Sequence, residues 1–157
     1  MSDVGSFEFG TTDAVKVRFV AQERPHGDEL TLVSVELRGG GLDASSTVES
    51  LAGDHGVKAE PVRQRGDVTE YEDIRLSDFL IELSTAPHAW DGSRGWRSLA
   101  NELCVDASCD SLGDVTLAVT LQPRPWEPSW SATARLRYPL GDLNDVGREL
   151  GAWFDAQ

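Results

Sequence analysis

Apolar and polar residues alternate in several separate segments of this chain, and this pattern limits its fold more than any other feature. Near the N-terminus, Val15, Val17 and Phe19 alternate with Lys16 and Arg18. Successive side chains of a β-strand point to opposite faces of a sheet, so the pattern predicts strands with one buried and one solvated face. Such strands are typical of antiparallel sheets. The predicted strands lie at residues 15–19, 33–38, 42–48, 103–107, 115–121 and 130–138.

Two other segments repeat their apolar residues at the spacing of a helix. Ser77 is the predicted N-cap of the first helix. Asp142 is the predicted N-cap of the second helix, and Asp145, three residues later, gives a pattern that resembles a capping box. Each helix therefore has one apolar face that can pack on a sheet. The two stripes consist of Leu76, Phe79, Leu80 and Leu83, and of Leu143, Val146, Leu150, Trp153 and Phe154.

The predicted elements follow in the order of three strands, a weak strand at residues 57–62, a helix, three further strands and a final helix. This order lacks the regular strand–helix alternation that a parallel sheet requires. We therefore predict the α+β class, with a mainly antiparallel sheet of about six strands and two amphipathic helices packed on one face. Because 157 residues is a common size for one domain, residues 1–157 are predicted to form a single globular domain.

The chain is strongly acidic, with 27 Asp and Glu residues against 14 Lys and Arg residues and a formal net charge of −13. A surface of this sign repels phosphate, so neither nucleic acid nor an anionic membrane is expected as a partner. A basic protein stays open as a partner, and the alternative is that the negative charge serves only to keep the protein soluble. The N-terminus lacks a basic and an apolar signal region, and no run approaches the roughly 18 apolar residues of a membrane span, so a cytoplasmic protein is expected.

The side chains that most often carry catalysis or bind metals are scattered along the sequence. His26, His55 and His88 lie in three different predicted loops, without the spacing of a zinc motif. Cys104 and Cys109 lack two further ligands nearby and are expected to be free structural thiols. No nucleophile elbow and no phosphate-binding loop occurs in the sequence. We therefore predict no catalytic residue, no metal site and no cofactor, and favour a protein that is not an enzyme.

Tryptophan and arginine side chains suggest where a partner could bind, since these residues most often dominate interface energies. Trp90 and Trp96 bracket a glycine-containing loop, and Trp126 lies in a proline-rich connection. An alternative for any of these tryptophans is a place in the core, which the apolar stripes favour for Trp130 and Trp153. The predicted partner-binding residues are Trp90, Asp91, Arg94, Trp96, Arg97, Trp126, Asp67, Glu70, Glu72 and Asp73.

The most distinctive string in the sequence is WDGSRGWRSL at residues 90–99, which two alternating strands follow. With the stretches SVELRGGGLDASSTV, LSDFLIEL, GDVTLAVTL and WSATARLRYPLGDLNDVGRELGAWF, it resembles a family of short, acidic actinobacterial proteins of unknown function. The resemblance covers most of the chain. It implies an α+β domain of bacterial origin, with no assigned activity and no catalytic residues to carry over.

Three hypotheses for function follow. The leading one is a non-enzymatic, acidic protein-binding domain that uses the acidic loops of residues 60–73 together with Trp90, Arg94, Trp96 and Trp126. It is similar in general character to immunity proteins that inhibit a basic partner. The alternative is a small-molecule-binding or enzymatic domain with a pocket between the sheet and the loop after the first helix, where His88, Asp91 and Arg97 would act. The third is a homodimer that forms through the solvent-facing side of the sheet.

Overall fold

The computed structural model describes residues 5–10, 15–21, 33–48, 54–86, 89–122 and 130–156. Within these residues the chain forms ten strands and two helices. In chain order they are β1 (Ser6–Gly10), β2 (Lys16–Ala21), β3 (Val33–Gly39), β4 (Leu42–Val48), β5 (His55–Arg65), β6 (Val68–Arg75), α1 (Leu76–Ser84), β7 (Arg94–Ser98), β8 (Leu103–Cys109), β9 (Asp114–Leu121), β10 (Ala132–Pro139) and α2 (Asp142–Asp155).

The strands form two sheets, and every described strand pair is antiparallel. One sheet has the order β1–β2–β3–β4, and the other has the order β10–β9–β8–β7–β5–β6. The α+β class and the antiparallel pairing are thus confirmed. The predicted single sheet of about six strands is corrected to two sheets. The six predicted strands are present, the weak strand is the long strand β5, and β1, β6 and β7 are additional strands.

The core lies between the two sheets and the helices. Alternate residues of the predicted strands are buried, as the pattern requires: Val17 and Phe19 on β2, and Leu117 and Val119 on β9, are at most 1% exposed. β10 contacts β2 and β3 of the four-stranded sheet, while β9 contacts β4. One continuous cluster of buried apolar residues includes side chains from both sheets and both helices, so burial of this apolar surface stabilises them as one body.

The two helices pack chiefly against each other. A Cβ added to Gly147 of α2 would lie 2.7 Å from the carbonyl oxygen of Ser77 on α1, so the absence of a side chain allows this close approach. α1 also contacts β6, while α2 contacts β1 of one sheet and β10 of the other. The expected packing of both helices on one face of a single sheet is therefore replaced by a helix pair that joins two sheets. Neither described helix is long and apolar enough to cross a membrane.

Helix α1 begins one residue earlier than its predicted cap, and a distant carboxylate caps it. Ser77 is the second helical residue, and its backbone N–H donates to Oδ2 of the fully buried Asp54 at 2.8 Å. The other oxygen, Oδ1, accepts from Nε of Arg75 at 2.6 Å. Nη2 of Arg75 also donates to Asp155 at the end of α2, at 2.9 Å. The buried carboxylate directly before β5 thus binds the start of α1, and Arg75 links it to the end of α2.

Helix α2 begins with the predicted Asp142 as its first residue, and Gly141 occupies the N-cap position. The prediction of Asp142 as the cap is therefore wrong by one position. Asp142 and Asp145 both lie in the first turn, where negative charge interacts favourably with the positive end of the helix dipole.

The β5–β6 hairpin occupies a region in which the sequence predicted only a weak strand. β7 pairs with only the first part of β5, at residues 56–58. Further along, from residue 61 to residue 71, β5 and β6 pair with each other, and register shifts mark β-bulges in β5. Residues 61–69 are all exposed. We call residues 61–71 the arm, and its exposure explains why its sequence shows no regular alternation.

Burial should make both cysteine thiols slow to react. Cys104 and Cys109 are free, and desolvation followed by nearby carboxylates raises the pKa of each thiol. At neutral pH, we expect iodoacetamide to alkylate both more slowly than an unhindered cysteine, because the thiolate is the nucleophile. Cys104 should react first, since it is partly exposed whereas Cys109 is only 9% exposed. Mass spectrometry of timed samples measures both rates, and faster labelling of Cys109 would contradict this order.

Candidate functional site

A cleft of about 470 Å³ opens between α1, the β5–β6 hairpin and the beginning of β7. It forms because α1 follows β6 directly and folds back over the sheet, while the hairpin continues beyond the edge that the helix covers. Its lining residues are Lys58, Glu60, Pro61, Val62, Glu72, Phe79, Glu82, Leu83, Ser93 and Arg94.

The floor of the cleft is apolar. Phe79 and Leu83 belong to the stripe of α1 that packs into the core, and they are only 3% and 2% exposed. Pro61 and Val62 continue this apolar surface onto the arm, where Val62 is 57% exposed. A ligand in the cleft would therefore contact the edge of the core on one side and the arm on the other.

Lys58 lies at the centre of the polar part of the cleft. Its Nζ is 2.8 Å from Oε2 of Glu72 on β6 and 2.8 Å from Oε1 of Glu82 on α1. Burial lowers the pKa of Lys58, but the hydrogen bonds to the two carboxylates outweigh it, so the pKa is raised and the side chain stays cationic. Lys58 is 21% exposed, whereas Glu72 and Glu82 are about half exposed. Both carboxylates therefore remain accessible to a ligand.

The opposite wall is fixed by contacts to β7 and β8. Oε1 of Glu60 accepts the backbone N–H of Gly95 at 2.9 Å. The guanidinium of Arg94 lies 4.6 Å from the ring centre of Trp90, a cation–π distance. Nε1 of Trp90 in turn donates to the carbonyl oxygen of Ala107 at 3.1 Å. Arg94 is thus held at the rim by a tryptophan that is itself anchored to the sheet.

The charges of the cleft are unequal. Three carboxylates, on Glu60, Glu72 and Glu82, face two cations, on Lys58 and Arg94. An apolar floor below accessible carboxylates suits a ligand with both an apolar and a cationic part. Within the described part of the chain, no group of three or more His, Cys, Asp or Glu residues could hold a metal ion.

Comparison with known proteins identifies the family. The sequence profile of a family of unknown function, DUF6228, matches residues 9–157. The chain belongs to this family. The match includes strands β2 to β10, both helices and every residue of the cleft, and it confirms the resemblance to a family of unknown function. No curated protein and no solved structure matches the chain significantly.

In this DUF6228 member, the two tryptophans of the predicted binding loop lie in the core. Trp96 is fully buried, and its Nε1 donates to the carbonyl oxygen of Ile74 at 2.9 Å. Trp90 is 9% exposed. Both indoles therefore pack inside the protein, and their part in partner binding stays a prediction. Trp126 lies outside the described residues.

Two of the other predicted residues, Arg94 and Glu72, line the cleft. Asp91 is exposed but lies outside the lining, and Arg97 lies on the opposite face of β7, with its guanidinium 5.3 Å from the ring centre of Tyr71. The alternative hypothesis predicted a pocket between the sheet and the loop after α1, whereas the cleft lies between α1 and the hairpin, and Ser93 is the one described residue of that loop in its lining. Asp91 and Arg97 do not line it.

The remaining acidic predictions lie along the hairpin. Asp67 is exposed at the turn, and Glu70 forms an ion pair of 3.0 Å with Arg63 on the facing strand. Asp73 is exposed on β6. These residues do not line the cleft, and their part in partner binding stays a prediction. His88 of the alternative hypothesis lies outside the described residues.

Sequence reasoning missed two charged residues of the cleft, Lys58 and Glu82, while Glu60 borders the acidic loops that were predicted to contact a partner. Lys58 and Glu60 are two positions apart on β5, so they lie on the same face of that strand, and Val62 continues the series. The spacing of Lys58 and Glu60 could therefore have predicted that their side chains share one face of the strand. Glu82 borders the apolar stripe of α1, but many exposed helix positions carry glutamate, so its position alone was uninformative.

Proposed function

We propose that this DUF6228 member is a non-enzymatic protein-binding domain whose cleft takes a basic segment of a partner protein. The observation that supports it is the pair of accessible carboxylates, Glu72 and Glu82, which Lys58 holds above the apolar floor. A lysine or arginine of the partner could place its charge between these carboxylates. Its aliphatic stem would then lie over Phe79 and Leu83, since such side chains bury their stems and keep their charge hydrated.

The net charge of −13 favours a basic partner beyond the contacts in the cleft. Long-range attraction between opposite charges raises association rates and is weakened by salt. An immunity-like inhibitor of a basic protein fits this behaviour by analogy. The same charge argues against nucleic acid and anionic membranes as partners. We further propose that the protein is bacterial and cytoplasmic.

A small cationic molecule is the second candidate ligand. The cleft, at about 470 Å³, is within the range of roughly 300–1,000 Å³ that is typical of small-molecule sites. Such a ligand would use the same carboxylates and floor. A matched pair of probes separates the two candidates, because a peptide also extends along the arm and a small amine does not.

Binding of basic peptides tests the proposal. We expect a lysine- and leucine-containing peptide to shift the NMR signals of Phe79, Leu83 and Val62 at low salt, while a peptide with glutamate in place of lysine has no effect. Glu82→Lys should weaken the binding by about tenfold or more, because it replaces an attractive charge by a repulsive one. Heteronuclear NMR titration measures both effects, and n-butylamine serves as the small-molecule probe.

Asp43→Lys is the matched control, because it changes the net charge by the same amount at a residue of β4 that is 79% exposed. It should weaken binding much less than Glu82→Lys does. Equal weakening by both variants, or shifts that avoid the three cleft residues, would reject the cleft as the binding site. Tight binding of n-butylamine alone would favour the second candidate.

A further inference from the structure

The outer face of the six-stranded sheet carries exposed and partly exposed side chains along β8, β9 and β10. Three residues in register form its central row: Asp106 on β8, Ala118 on β9 and Arg135 on β10. Thr116 and Thr120 lie on either side of Ala118 along β9. Asp106 and Arg135 are exposed, and the three β9 residues are partly exposed, as expected of small side chains on an open sheet. We call this surface the open face.

Asp106 and Arg135 differ from several other charges that point outward from the sheets. Arg18 pairs with Glu36 at 3.4 Å, and Arg137 on the open face lies 3.3 Å from Asp114. Among the residues that the structure describes, neither Asp106 nor Arg135 forms an ion pair or a side-chain hydrogen bond. They flank Ala118 at a separation of two strand spacings, roughly 10 Å. Two opposite charges thus stand unpaired on either side of a small residue.

We propose that the open face pairs with the open face of a second copy of this chain, about a twofold axis that runs parallel to β9. Rotation about this axis exchanges the two sides of β9, so Asp106 of each copy faces Arg135 of the other. A twofold interface repeats each contact, and two complementary ion pairs form. The small central residues allow the two sheets to approach to about 10 Å, the usual distance between packed sheets.

Leu112 supports the position of this axis. It lies in the turn between β8 and β9, and at 85% it is the most exposed of the large apolar residues described. An axis parallel to β9 brings this turn close to the same turn of the second copy. Dimerisation would then remove two exposed leucines from water, which is favourable in proportion to the apolar area buried.

The size of the face sets the expected strength of the dimer. Strands of seven or eight residues give a length of roughly 25 Å, and three strands give a width of roughly 15 Å. The resulting area, on the order of 400 Å² for each copy, is at the low end for protein interfaces. We therefore expect a weak dimer, with a dissociation constant on the order of 100 µM. This inference is independent of the cleft and of its proposed ligand.

Sedimentation velocity across a range of protein concentrations tests the proposal. The wild-type protein should change from monomer to dimer as its concentration rises. Asp106→Arg and Arg135→Asp should each lower the association constant by about tenfold or more, because each places like charges opposite each other. The double variant, which carries both substitutions, should recover dimerisation, since it restores the two ion pairs with their signs exchanged.

Asp43→Arg on the four-stranded sheet is the control for net charge, and it should leave the dimer intact. Circular dichroism of each single variant checks that it still folds. A wild-type protein that remains monomeric up to roughly 1 mM overturns the proposal, given the expected affinity. The same holds if the double variant stays monomeric, or if Asp43→Arg lowers association as much as Asp106→Arg.

Discussion

Replacing Asp54 by alanine is expected to lower the free energy of unfolding by about 3 kcal/mol. The substitution removes a fully buried carboxylate that caps α1 at Ser77 and pairs with Arg75. Loss of one partner of a buried ion pair costs more than loss of an exposed one, because the remaining groups stay desolvated. The side chain of Arg75 is 27% exposed and keeps Asp155 as a second partner, so the loss should not exceed this value greatly.

Urea unfolding of two further variants separates the cap from the ion pair. Asp54→Asn keeps an acceptor for the Ser77 N–H but removes the charge, so its loss should be intermediate. Asp155→Ala removes the other partner of Arg75, whose side chain is 68% exposed, and should cost less than about 1 kcal/mol. Equal losses for Asp54→Ala and Asp155→Ala would show that burial of the Asp54 carboxylate has no special role.

The strands of the core could be predicted from the sequence because their two faces meet different surroundings. Alternate residues of β2, β3, β8, β9 and β10 are buried, so selection for apolar side chains at every second position left a visible period. The same argument holds for the helices, whose buried residues follow the stripes that were predicted. The buried positions within each strand and helix could therefore be predicted from the sequence.

The arrangement of the strands could not be predicted in the same way. Whether ten strands form one sheet or two depends on pairing between distant segments, which periodicity does not encode. The arm left no pattern because both of its faces meet solvent from residue 61 to residue 69. The cap of α1 was missed for a related reason, since Asp54 is 23 positions from Ser77 and only the folded chain brings them together.

The candidate site was predicted in part. Arg94 and Glu72 were identified from composition and neighbouring aromatics, and both line the cleft. Lys58 and Glu82 were missed, because their importance comes from a contact between β5 and α1. The tryptophans were ambiguous for a physical reason: an indole has a large apolar surface and one polar N–H, which suits an interface and a buried position equally well.

Trp130 was predicted to lie in the core but is partly exposed. It was assigned to the core because it continues the alternation of β10, yet it is 38% exposed and precedes the first residue of that strand. Trp96 has a loop-like sequence context but is fully buried within β7. Periodicity predicts the direction of a side chain only where the strand persists, so residues at strand ends are assigned less well.

Replacing Trp96 by alanine is expected to lower the free energy of unfolding by about 3–5 kcal/mol. The fully buried ring packs over Gly56, where an added Cβ would lie 2.4 Å from the ring atom Cζ2. Its removal leaves a large cavity and deprives the carbonyl oxygen of Ile74 of a hydrogen bond. Urea unfolding followed by circular dichroism measures the change.

Trp130→Ala is the matched control, since it removes the same side chain from a position that is 38% exposed. Its cost should remain below about 1 kcal/mol, because surface substitutions rarely cost more. The comparison also decides between the two interpretations of Trp96. A residue that serves only to bind a partner can be replaced without loss of stability, so an unfolding midpoint for Trp96→Ala equal to that of the wild type would return Trp96 to the binding surface. A large loss for Trp96 alone would instead assign Trp96 to the core.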